Sequence, residues 1–187
     1  PFKPGNLRPA IGDNGSVPTE SVAILETWRA MEQLVKKGLV KAIGVSNFTG
    51  PMLVDLFSYA KIMPAVNQIE LHPYLTQTEL VEYCLKNQVQ VTAHSPLGTK
   101  GEDPKPIDDP TINQIAKQHQ KTPAQILIRW ALQRNTIVIP KSSNKDRIQQ
   151  NIEVFDFELS DNDMKQINSL NKDQRIVDPS ELWGIPY

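Results

Sequence analysis

Residues 64–98 read PAVNQIELHPYLTQTELVEYCLKNQVQVTAHSPLG and contain a complete strand–helix–strand unit. The runs PAVNQIE and VQVTA are short and contain several apolar residues, which is typical of strands that are at least partly buried. Between them, TQTELVEYCLKN has the spacing of an amphipathic helix, and Thr76 and Glu79 are predicted to form a capping box at its start. Because two strands joined through a crossover helix favour parallel pairing, this stretch predicts an α/β fold.

The same unit recurs on both sides of this stretch. The sequence predicts strands at LVKAIGV and NTIVIP, and further helices at AILETWRAMEQLVKKG, residues 51–60, DDPTINQIAKQH, KTPAQILIRWALQR, SSNKDRIQQNIEVF and SDNDMKQINSL. In KTPAQILIRWALQR, Thr122 is the predicted N-cap, and Gln125 is expected to complete a capping box with it. Trp28, Cys84 and Trp130 fall on apolar helix faces, so we expect them in the core. This alternation fits either a doubly wound open sheet or an α/β barrel, and periodicity alone does not separate the two.

The composition disfavours several classes of protein. Hydrophobic residues make up 39% of the 187 residues, enough for a packed core, and the formal net charge is −1. A nearly neutral chain gives no indication of a nucleic-acid or membrane partner. The single cysteine cannot form an internal disulfide, which fits a reducing, cytoplasmic location. The three histidines lack the spacing of metal ligands, so no metal site is expected.

Polar and aromatic side chains follow every predicted strand at its carboxyl end. The four groups are Ser46-Asn47-Phe48, Leu71-His72-Pro73-Tyr74, His94-Ser95-Pro96-Leu97-Gly98 and Lys141-Ser142-Ser143. Ligands bind at this edge in parallel α/β folds. This edge is called the mouth of the sheet below. Gln68 and Glu70, at the end of the second strand, are further candidates for contacting a ligand there.

The first three of these groups also have a purely structural interpretation. Ser46 and Asn47 are ordinary turn residues, and Gln68 fits a hydrogen-bonded core amide equally well. His72 before a proline and His94 both fit buried, hydrogen-bonded histidines. The residue types alone leave these alternatives open.

Residues 139–147, IPKSSNKDR, gather positive charge at the end of the last predicted strand. Ser143, with Asp146 three residues later, is the predicted N-cap of a helix whose first N–H groups would face an anion. Lys141 supplies a point charge, and Arg147 supplies a planar fork that matches phosphate oxygens. Neither GxxxxGK[ST] nor GxGxxG after a strand occurs, so a terminal phosphate is expected rather than a wrapped pyrophosphate.

Three stretches resemble signatures of the aldo-keto reductase family: MEQLVKKGLVKAIGVSNF, AVNQIELHPY with AHSPLG behind it, and IPKSSNKDRIQQNIEVFDFELS. The resemblance extends from about residue 2 to residue 170 and is strongest to the aldose and aldehyde reductase branch. It implies a (β/α)8 barrel of the TIM type, of which this chain covers strands five to eight with their helices. It also implies NADPH as cofactor and reduction of small aldehydes or ketones to alcohols.

The resemblance assigns one end of the cofactor to the first three strand ends. The residues implied for the nicotinamide and pyrophosphate are Ser46, Asn47, Gln68, His94, Ser95 and Leu97. The first three would hold the nicotinamide carboxamide, and the last two would line the pyrophosphate path. His94 takes the position where the family usually has a stacking tyrosine.

The other end of the cofactor is assigned to the last strand end and the helix after it. The residues implied for the adenosine 2′-phosphate are Lys141, Ser142, Asn144 and Arg147, and those implied for the adenine are Gln150 and Asn151. At the first adenine position the family often has glutamate. The positive cluster thus fits the one phosphate that distinguishes NADPH from NADH.

The resemblance also predicts what this chain does not supply. The family's catalytic aspartate, tyrosine, lysine and histidine come from the first half of the barrel, so no catalytic residue is expected in this chain and the set is expected upstream of Pro1. The 187-residue chain alone is therefore expected to be inactive and to be part of a longer enzyme, monomeric when complete. Two alternatives stay open: a non-catalytic nucleotide-binding or structural member of the family, and an inactive truncated product.

The whole chain is expected to form one partial barrel domain. Residues 1–18 hold four of the fifteen prolines and three of the nine glycines and predict an irregular arm. Residues 19–170 carry the strand and helix repeats, and residues 171–187 form the expected C-terminal substrate loop. Within that loop, Trp183 and Tyr187 are the candidates for lining a substrate pocket, and an exposed loop that carries two aromatic residues is the alternative.

Overall fold

The structure is a computed structural model that describes residues 21–98 and 104–177. Its strands are Val45–Ser46 (β1), Val66–Glu70 (β2), Gln90–His94 (β3) and Ile137–Val138 (β4). They form one parallel sheet in the order β1-β2-β3-β4.

Two expectations from the sequence lie outside the described residues. One is the irregular arm over residues 1–18, which includes Pro1, the residue upstream of which the catalytic set is expected. The other is the pair Trp183 and Tyr187 of the expected substrate loop. These expectations, including the position of the catalytic set relative to Pro1, stay predictions.

The strand order decides between the two predicted architectures. In a doubly wound sheet the order reverses beside the first strand, whereas in a barrel each new strand is added on the same side. Here the order in space is the order along the chain. The sheet therefore has the arrangement of a barrel wall, with the strand ends that carry Ser46, Glu70 and His94 at one edge.

Helices connect the strands, and each of the seven helices predicted from the sequence is present. Their bounds are Ile24–Lys36 (α1), Gly50–Tyr59 (α2), Thr78–Lys86 (α3), Pro110–His119 (α4), Pro123–Gln133 (α5), Lys145–Ile152 (α6) and Asp161–Asn168 (α7). A short 3₁₀ helix, Pro106–Asp108, precedes α4. Within the described ranges, no helix is long and apolar enough to cross a membrane.

The core lies between β2, β3 and the helices α2 to α5. Trp130 of α5 is 0% exposed and donates its indole N–H to Asn168 Oδ1 of α7 at 2.8 Å. Trp28 of α1 is 2% exposed and donates its indole N–H to the Ile62 carbonyl at 3.1 Å. Cys84 is also buried, so the core placement predicted for these three residues is confirmed.

Helix α3 does not begin where the sequence predicted. The expected capping box of Thr76 and Glu79 is wrong, because α3 begins at Thr78 and no side chain caps it. Gln77, immediately before the helix, has a left-handed backbone with φ of 43°, which a capping box does not allow. Thr76 is instead held by a tertiary contact, since its N–H donates to Asn171 Oδ1 at 3.0 Å.

Helices α5 and α6 show one correct and one incorrect cap prediction. The capping box of Thr122 and Gln125 at α5 is confirmed. At α6 the predicted cap, Ser143, is wrong by one residue. The N-cap is Asn144, whose extended backbone lets its Oδ1 accept the N–H of Arg147 at 3.0 Å.

The chain after α7 returns across the strand ends without forming a further helix in the described residues. The Tyr74 carbonyl accepts the N–H groups of Lys172 and Gln174 at 3.1 and 3.0 Å. The Lys172 ammonium lies 3.7 Å from the centroid of the Tyr74 ring. Residues 171–177 are thereby held over the mouth of the sheet.

Candidate functional site

The loop after β1 turns sharply at the mouth of the sheet. Asn47 has φ of 58°, a left-handed conformation that asparagine tolerates better than most residues. Its N–H and the Ser46 hydroxyl both donate to the Gln68 carbonyl, at 2.8 and 3.0 Å. The structure therefore brings Ser46, Asn47 and Gln68 together, as the sequence predicted.

Asn67, a buried amide that the sequence analysis missed, stabilises this loop through hydrogen bonds to its backbone. Asn67 is 0% exposed, its Oδ1 accepts the Phe48 N–H at 3.3 Å, and its Nδ2 donates to the Phe48 carbonyl at 2.9 Å. Because side chains alternate along a strand, Asn67 and Gln68 face opposite sides of β2. The sequence feature that could have indicated Asn67 is the pair of adjacent amides in a buried strand, because only one of the two can face the mouth.

Gln68 is half-buried, and its side-chain amide makes no hydrogen bond within the described part of the chain. It thus differs from the core amide of the structural interpretation, which would need internal partners. A free carboxamide offers one acceptor and two donors to a ligand. This pattern matches another primary carboxamide.

His94 ends β3 opposite Glu70 and is held by two neighbours. Its Nε2 lies 3.3 Å from Asn47 Oδ1, and its Nδ1 lies 3.2 Å from Ser95 Oγ. Since an amide oxygen only accepts, Nε2 carries the proton, and Nδ1 accepts from the Ser95 hydroxyl. The ring is half-buried and is fixed in one orientation and one tautomer.

The pKa of the His94 imidazole is lowered, mainly by burial. The carboxylate of Glu70 raises this pKa, whereas the positive charge of Arg175 lowers it further. The ring is therefore neutral at pH 7 and becomes charged only in more acidic solution. A neutral, half-buried ring at the mouth is suited to contact a flat ligand.

Glu70 and His72 form a buried pair beside this mouth. Both are 0% exposed, and His72 Nε2 lies 2.9 Å from Glu70 Oε1. The structural interpretation of His72 is thereby confirmed. Glu70 does not present its carboxylate to an open mouth, because the carboxylate accepts the backbone N–H groups of Ile176 and Val177.

A groove runs from the loop after β3 to the start of α6, with a volume of about 430 Å³. Its walls are Ser95, Pro96, Leu97, Gly98, Ile139, Pro140, Lys141, Ser142, Ser143, Asn144 and Arg147. Two segments more than forty residues apart in sequence thus form one elongated site. Every residue predicted for the pyrophosphate and the 2′-phosphate lines this groove.

Positive charge is concentrated at one end of the groove. Lys141 and Arg147 are exposed there, and neither forms an ion pair within residues 21–98 and 104–177. The first turn of α6 adds backbone N–H groups and the positive end of the helix dipole. Two unneutralised cations beside a helix N-terminus provide a site for a phosphate.

The two residues predicted for the adenine do not line this groove. Asn151 faces a neighbouring apolar groove formed by β4, α5 and α6. Gln150 is exposed, and its carbonyl accepts a hydrogen bond from Gln125 Nε2 at 3.2 Å. The structure thus groups the predicted phosphate residues but leaves the adenine residues along the side of α6.

The described residues contain no group of three or more histidine, cysteine or carboxylate side chains that could hold a metal ion. The side chains at the mouth and in the groove offer amide, hydroxyl and cationic groups, which are groups that can hydrogen-bond a carboxamide or bind an anion.

Comparison with known proteins identifies the family. Residues 15–172 match the model of a protein family that is described as the Aldo/keto reductase family. The chain belongs to the aldo/keto reductase family. Aldo-keto reductase family 1 member A1-A of Danio rerio is 49% identical over 176 residues, which cover 90% of this chain and 54% of that protein. Aldose reductase C of Dictyostelium discoideum is 45% identical over 181 residues, which cover 97% of this chain and 56% of that protein.

Solved structures of aldo/keto reductases superpose closely on this chain. The aldose reductase of Schistosoma japonicum aligns with a TM-score of 0.91 at 37% identity, covering 100% of this chain and 61% of that one. A Bombyx mori aldo-keto reductase in complex with NADP aligns with a TM-score of 0.83 at 39% identity. The alignment covers 88% of this chain and 56% of the Bombyx mori chain. This aldo/keto reductase chain lies in the aldose reductase branch and spans little more than half the length of these relatives. Its sheet is part of a (β/α)8 barrel.

The side chains of the described tyrosines in this aldo/keto reductase chain are engaged by other side chains. Tyr74 is buried and donates to Asp109 Oδ2 at 2.7 Å, and burial raises the pKa of its phenol. Tyr83 stacks on Phe57 with ring centroids 6.2 Å apart. Tyr59, at the end of α2, donates to an aspartate of the same helix. None of the three is placed to protonate a ligand beside His94.

Proposed function

We propose that this chain supplies the NADP(H)-binding half of a reductase that converts aldehydes and ketones to alcohols. The observation that carries the proposal is the continuous groove joining the loop after β3 to the cationic start of α6. The Bombyx mori relative in complex with NADP supports the choice of ligand. This chain would be the cofactor-binding part of one barrel domain, with residues 171–187 as the substrate loop.

The nicotinamide end of the cofactor would lie at the β1, β2 and β3 ends. The free carboxamide of Gln68, with the hydroxyl of Ser46 and the amide of Asn47, would hold the nicotinamide carboxamide. His94 would contact the face of the ring, because Asn47 and Ser95 already fix its imidazole. Ser95 and Leu97 would line the path of the pyrophosphate.

The adenosine end would lie at the start of α6. Lys141 and Arg147 would bind the 2′-phosphate together with the Ser142 hydroxyl and the capped first turn at Asn144. Gln150 and Asn151 would contact the adenine along the side of α6. Since NADH lacks this phosphate, the charge at this end would select NADPH.

When bound, the nicotinamide would supply hydride to the carbonyl carbon of the substrate. The residues of this chain would orient the ring and exclude water from one of its faces. The described tyrosines are engaged elsewhere, so the proton for the carbonyl oxygen would come from a residue outside the described part. We accordingly assign the described residues to cofactor binding, with no catalytic residue among them, and we propose that the catalytic set lies upstream of Pro1.

The same observation favours a second function, nucleotide binding without reduction. A chain that binds NADPH but whose described tyrosines are engaged elsewhere would serve as a nucleotide-binding subunit without reducing a substrate. The two functions are distinguished by whether the full-length protein with this sequence consumes NADPH in the presence of an aldehyde.

Calorimetric titration with adenosine 2′,5′-bisphosphate and with adenosine 5′-monophosphate tests the proposal directly. The bisphosphate carries the 2′-phosphate without a nicotinamide, so it engages the cationic end alone. We expect it to bind on the order of tenfold more tightly than the monophosphate, since a charge-assisted contact contributes roughly 1.5–3 kcal/mol. Equal affinities would show that the start of α6 does not recognise the 2′-phosphate.

A further inference from the structure

Residues 175–177, called the strap below, cross the mouth of the sheet and are held there by a carboxylate. The Ile176 N–H donates to Glu70 Oε1 at 2.6 Å, and the Val177 N–H donates to Glu70 Oε2 at 3.0 Å. Both carboxylate oxygens are therefore used by the strap. Within the described ranges no strand pairing holds Ile176 or Val177, and both N–H groups donate to a side chain more than a hundred positions earlier in the sequence.

The Glu70 carboxylate is built to remain ionised. Burial alone would raise the pKa of Glu70, but hydrogen bonds from His72 and from the two strap amides hold that pKa below its ordinary value. A carboxylate binds backbone N–H groups more strongly than a neutral oxygen does. Gln77 Nε2 also donates to the Glu70 carbonyl at 2.6 Å, which fixes the end of β2 to the loop that follows it.

The strap reaches both ends of the nicotinamide region. Arg175 lies in a small cleft beside Asn47 and Phe48 of the loop after β1. Ile176 packs near Gly98 of the loop after β3, with its Cδ1 3.8 Å from where a Cβ on that glycine would stand. Glu70 itself is the register partner of His94. The strap therefore lies beside the loop that carries Asn47 and is attached through Glu70 to the strand position paired with His94.

We propose that Glu70 is a positioning residue, which fixes the strap against the loop after β1 and against His94 and so shapes the nicotinamide end of the site. This inference rests on the proposed NADP(H)-binding function. Glu70 touches no cofactor atom in this scheme and acts through the strap. Its removal weakens binding of the nicotinamide end and leaves recognition of the distant 2′-phosphate at α6 unchanged.

Hydrogen exchange on the full-length wild-type protein tests the coupling without any substitution. The Ile176 and Val177 amides are expected to exchange slowly, although they have no backbone acceptor among the described residues. NADPH should slow them further by about tenfold, whereas saturating adenosine 2′,5′-bisphosphate should leave them unchanged. Equal slowing by the two ligands, or none by NADPH, would show that the strap is not coupled to the nicotinamide.

Substitution supplies the second measurement. Glu70→Gln should weaken NADPH by about tenfold and alter the emission of bound NADPH, with the affinity for adenosine 2′,5′-bisphosphate unchanged. Glu26→Gln, an exposed change on α1, is the matched control and should alter neither affinity. A Glu70→Gln protein that binds NADPH as tightly as wild type overturns the role of Glu70 while the proposed function stands. A wild-type protein that binds neither ligand overturns both.

Discussion

At the scale of single residues, Asn47 shows how a strained backbone prepares a site. Its left-handed conformation, with φ of 58°, points Oδ1 at His94 Nε2 across 3.3 Å. That contact and the Ser95 hydroxyl leave the His94 ring with a single tautomer. A ring fixed before the ligand arrives loses little conformational freedom on binding.

The charge of His94 gives a prediction about the oxidised and reduced cofactor. Because burial lowers the pKa of His94, the ring is neutral above the ordinary histidine pKa of about 6.5 and gains charge only below it. The positive ring then repels the cationic nicotinamide of NADP⁺ but not the neutral ring of NADPH. We expect the affinity for NADP⁺ relative to NADPH to be constant above about pH 6.5 and to fall as the solution is acidified toward about pH 5.

Fluorescence and calorimetric titrations between about pH 5 and 8 measure this ratio. His94→Tyr should place an uncharged aromatic ring at the same position and make the ratio independent of pH. His94→Ala should weaken both forms of the cofactor, since the contact with the ring face is lost. The same pH trend in wild type and in His94→Tyr would refute the role assigned to His94.

Residue-level prediction from the sequence worked where the signal was local. Ser46 and His94 end strands and Asn47 follows one, so their position at one edge was evident from the pattern. The role of Glu70 was not, because its partners Ile176 and Val177 follow it by more than a hundred residues. Such a contact leaves no trace in local spacing.

At the scale of elements, the start of α6 determines the phosphate site. Asn144→Ala removes the oxygen that accepts the Arg147 N–H, which should lower the free energy of unfolding by about 1 kcal/mol. The loosened first turn should also weaken adenosine 2′,5′-bisphosphate about two- to fivefold, given the usual contribution of a helix N-terminus. Urea denaturation and calorimetric titration measure the two effects.

Ser143→Ala is the matched control for this element. Ser143 lines the same groove one residue earlier but does not cap α6. It should therefore leave the unfolding free energy within about 0.5 kcal/mol of wild type. A larger loss for Ser143→Ala than for Asn144→Ala would mean that α6 is capped as the sequence first predicted.

The elements themselves were largely predictable, and their ends were not. All seven helices followed from local spacing or from local start signals, and the cap of α5 followed because Thr122 and Gln125 are close in sequence. The start of α3 could not be predicted, because the left-handed backbone of Gln77 has no strong signature. Strands β1 and β4 pair over only two residues each, although longer apolar runs surround them.

At the scale of the whole molecule, the parallel α/β class was evident from the alternation of strands and helices. The barrel arrangement was not evident, because it depends on the spatial order of the strands.

In the described sheet, β1 and β4 are the outer strands. Apolar side chains are exposed along β4 and α6, where Ile137 is 45% exposed and Ile152 is 70% exposed. The chain spans little more than half the length of its relatives, so the activity of the whole protein is a matter for direct assay.

The tyrosine contacts give a prediction for the 187-residue chain assayed alone. With Tyr59, Tyr74 and Tyr83 engaged elsewhere, it should bind NADPH but should not reduce an aromatic aldehyde. Loss of NADPH absorbance after addition of the aldehyde measures the rate. Turnover of roughly 1 per second or more, typical of an enzyme, would show that the chain supplies its own proton donor and that none is needed upstream of Pro1.

The central claim is that this chain selects NADPH through the 2′-phosphate, and the ratio of the dissociation constants for NADH and NADPH tests it most directly. In wild type we expect NADPH to bind more tightly. Arg147→Met should weaken NADPH on the order of ten- to a hundredfold and leave NADH nearly unchanged, because a charge-assisted contact contributes roughly 1.5–3 kcal/mol. Lys145→Met, which removes an equal charge next to the groove, should preserve the ratio. Equal losses of NADPH and NADH affinity in Arg147→Met would contradict the account.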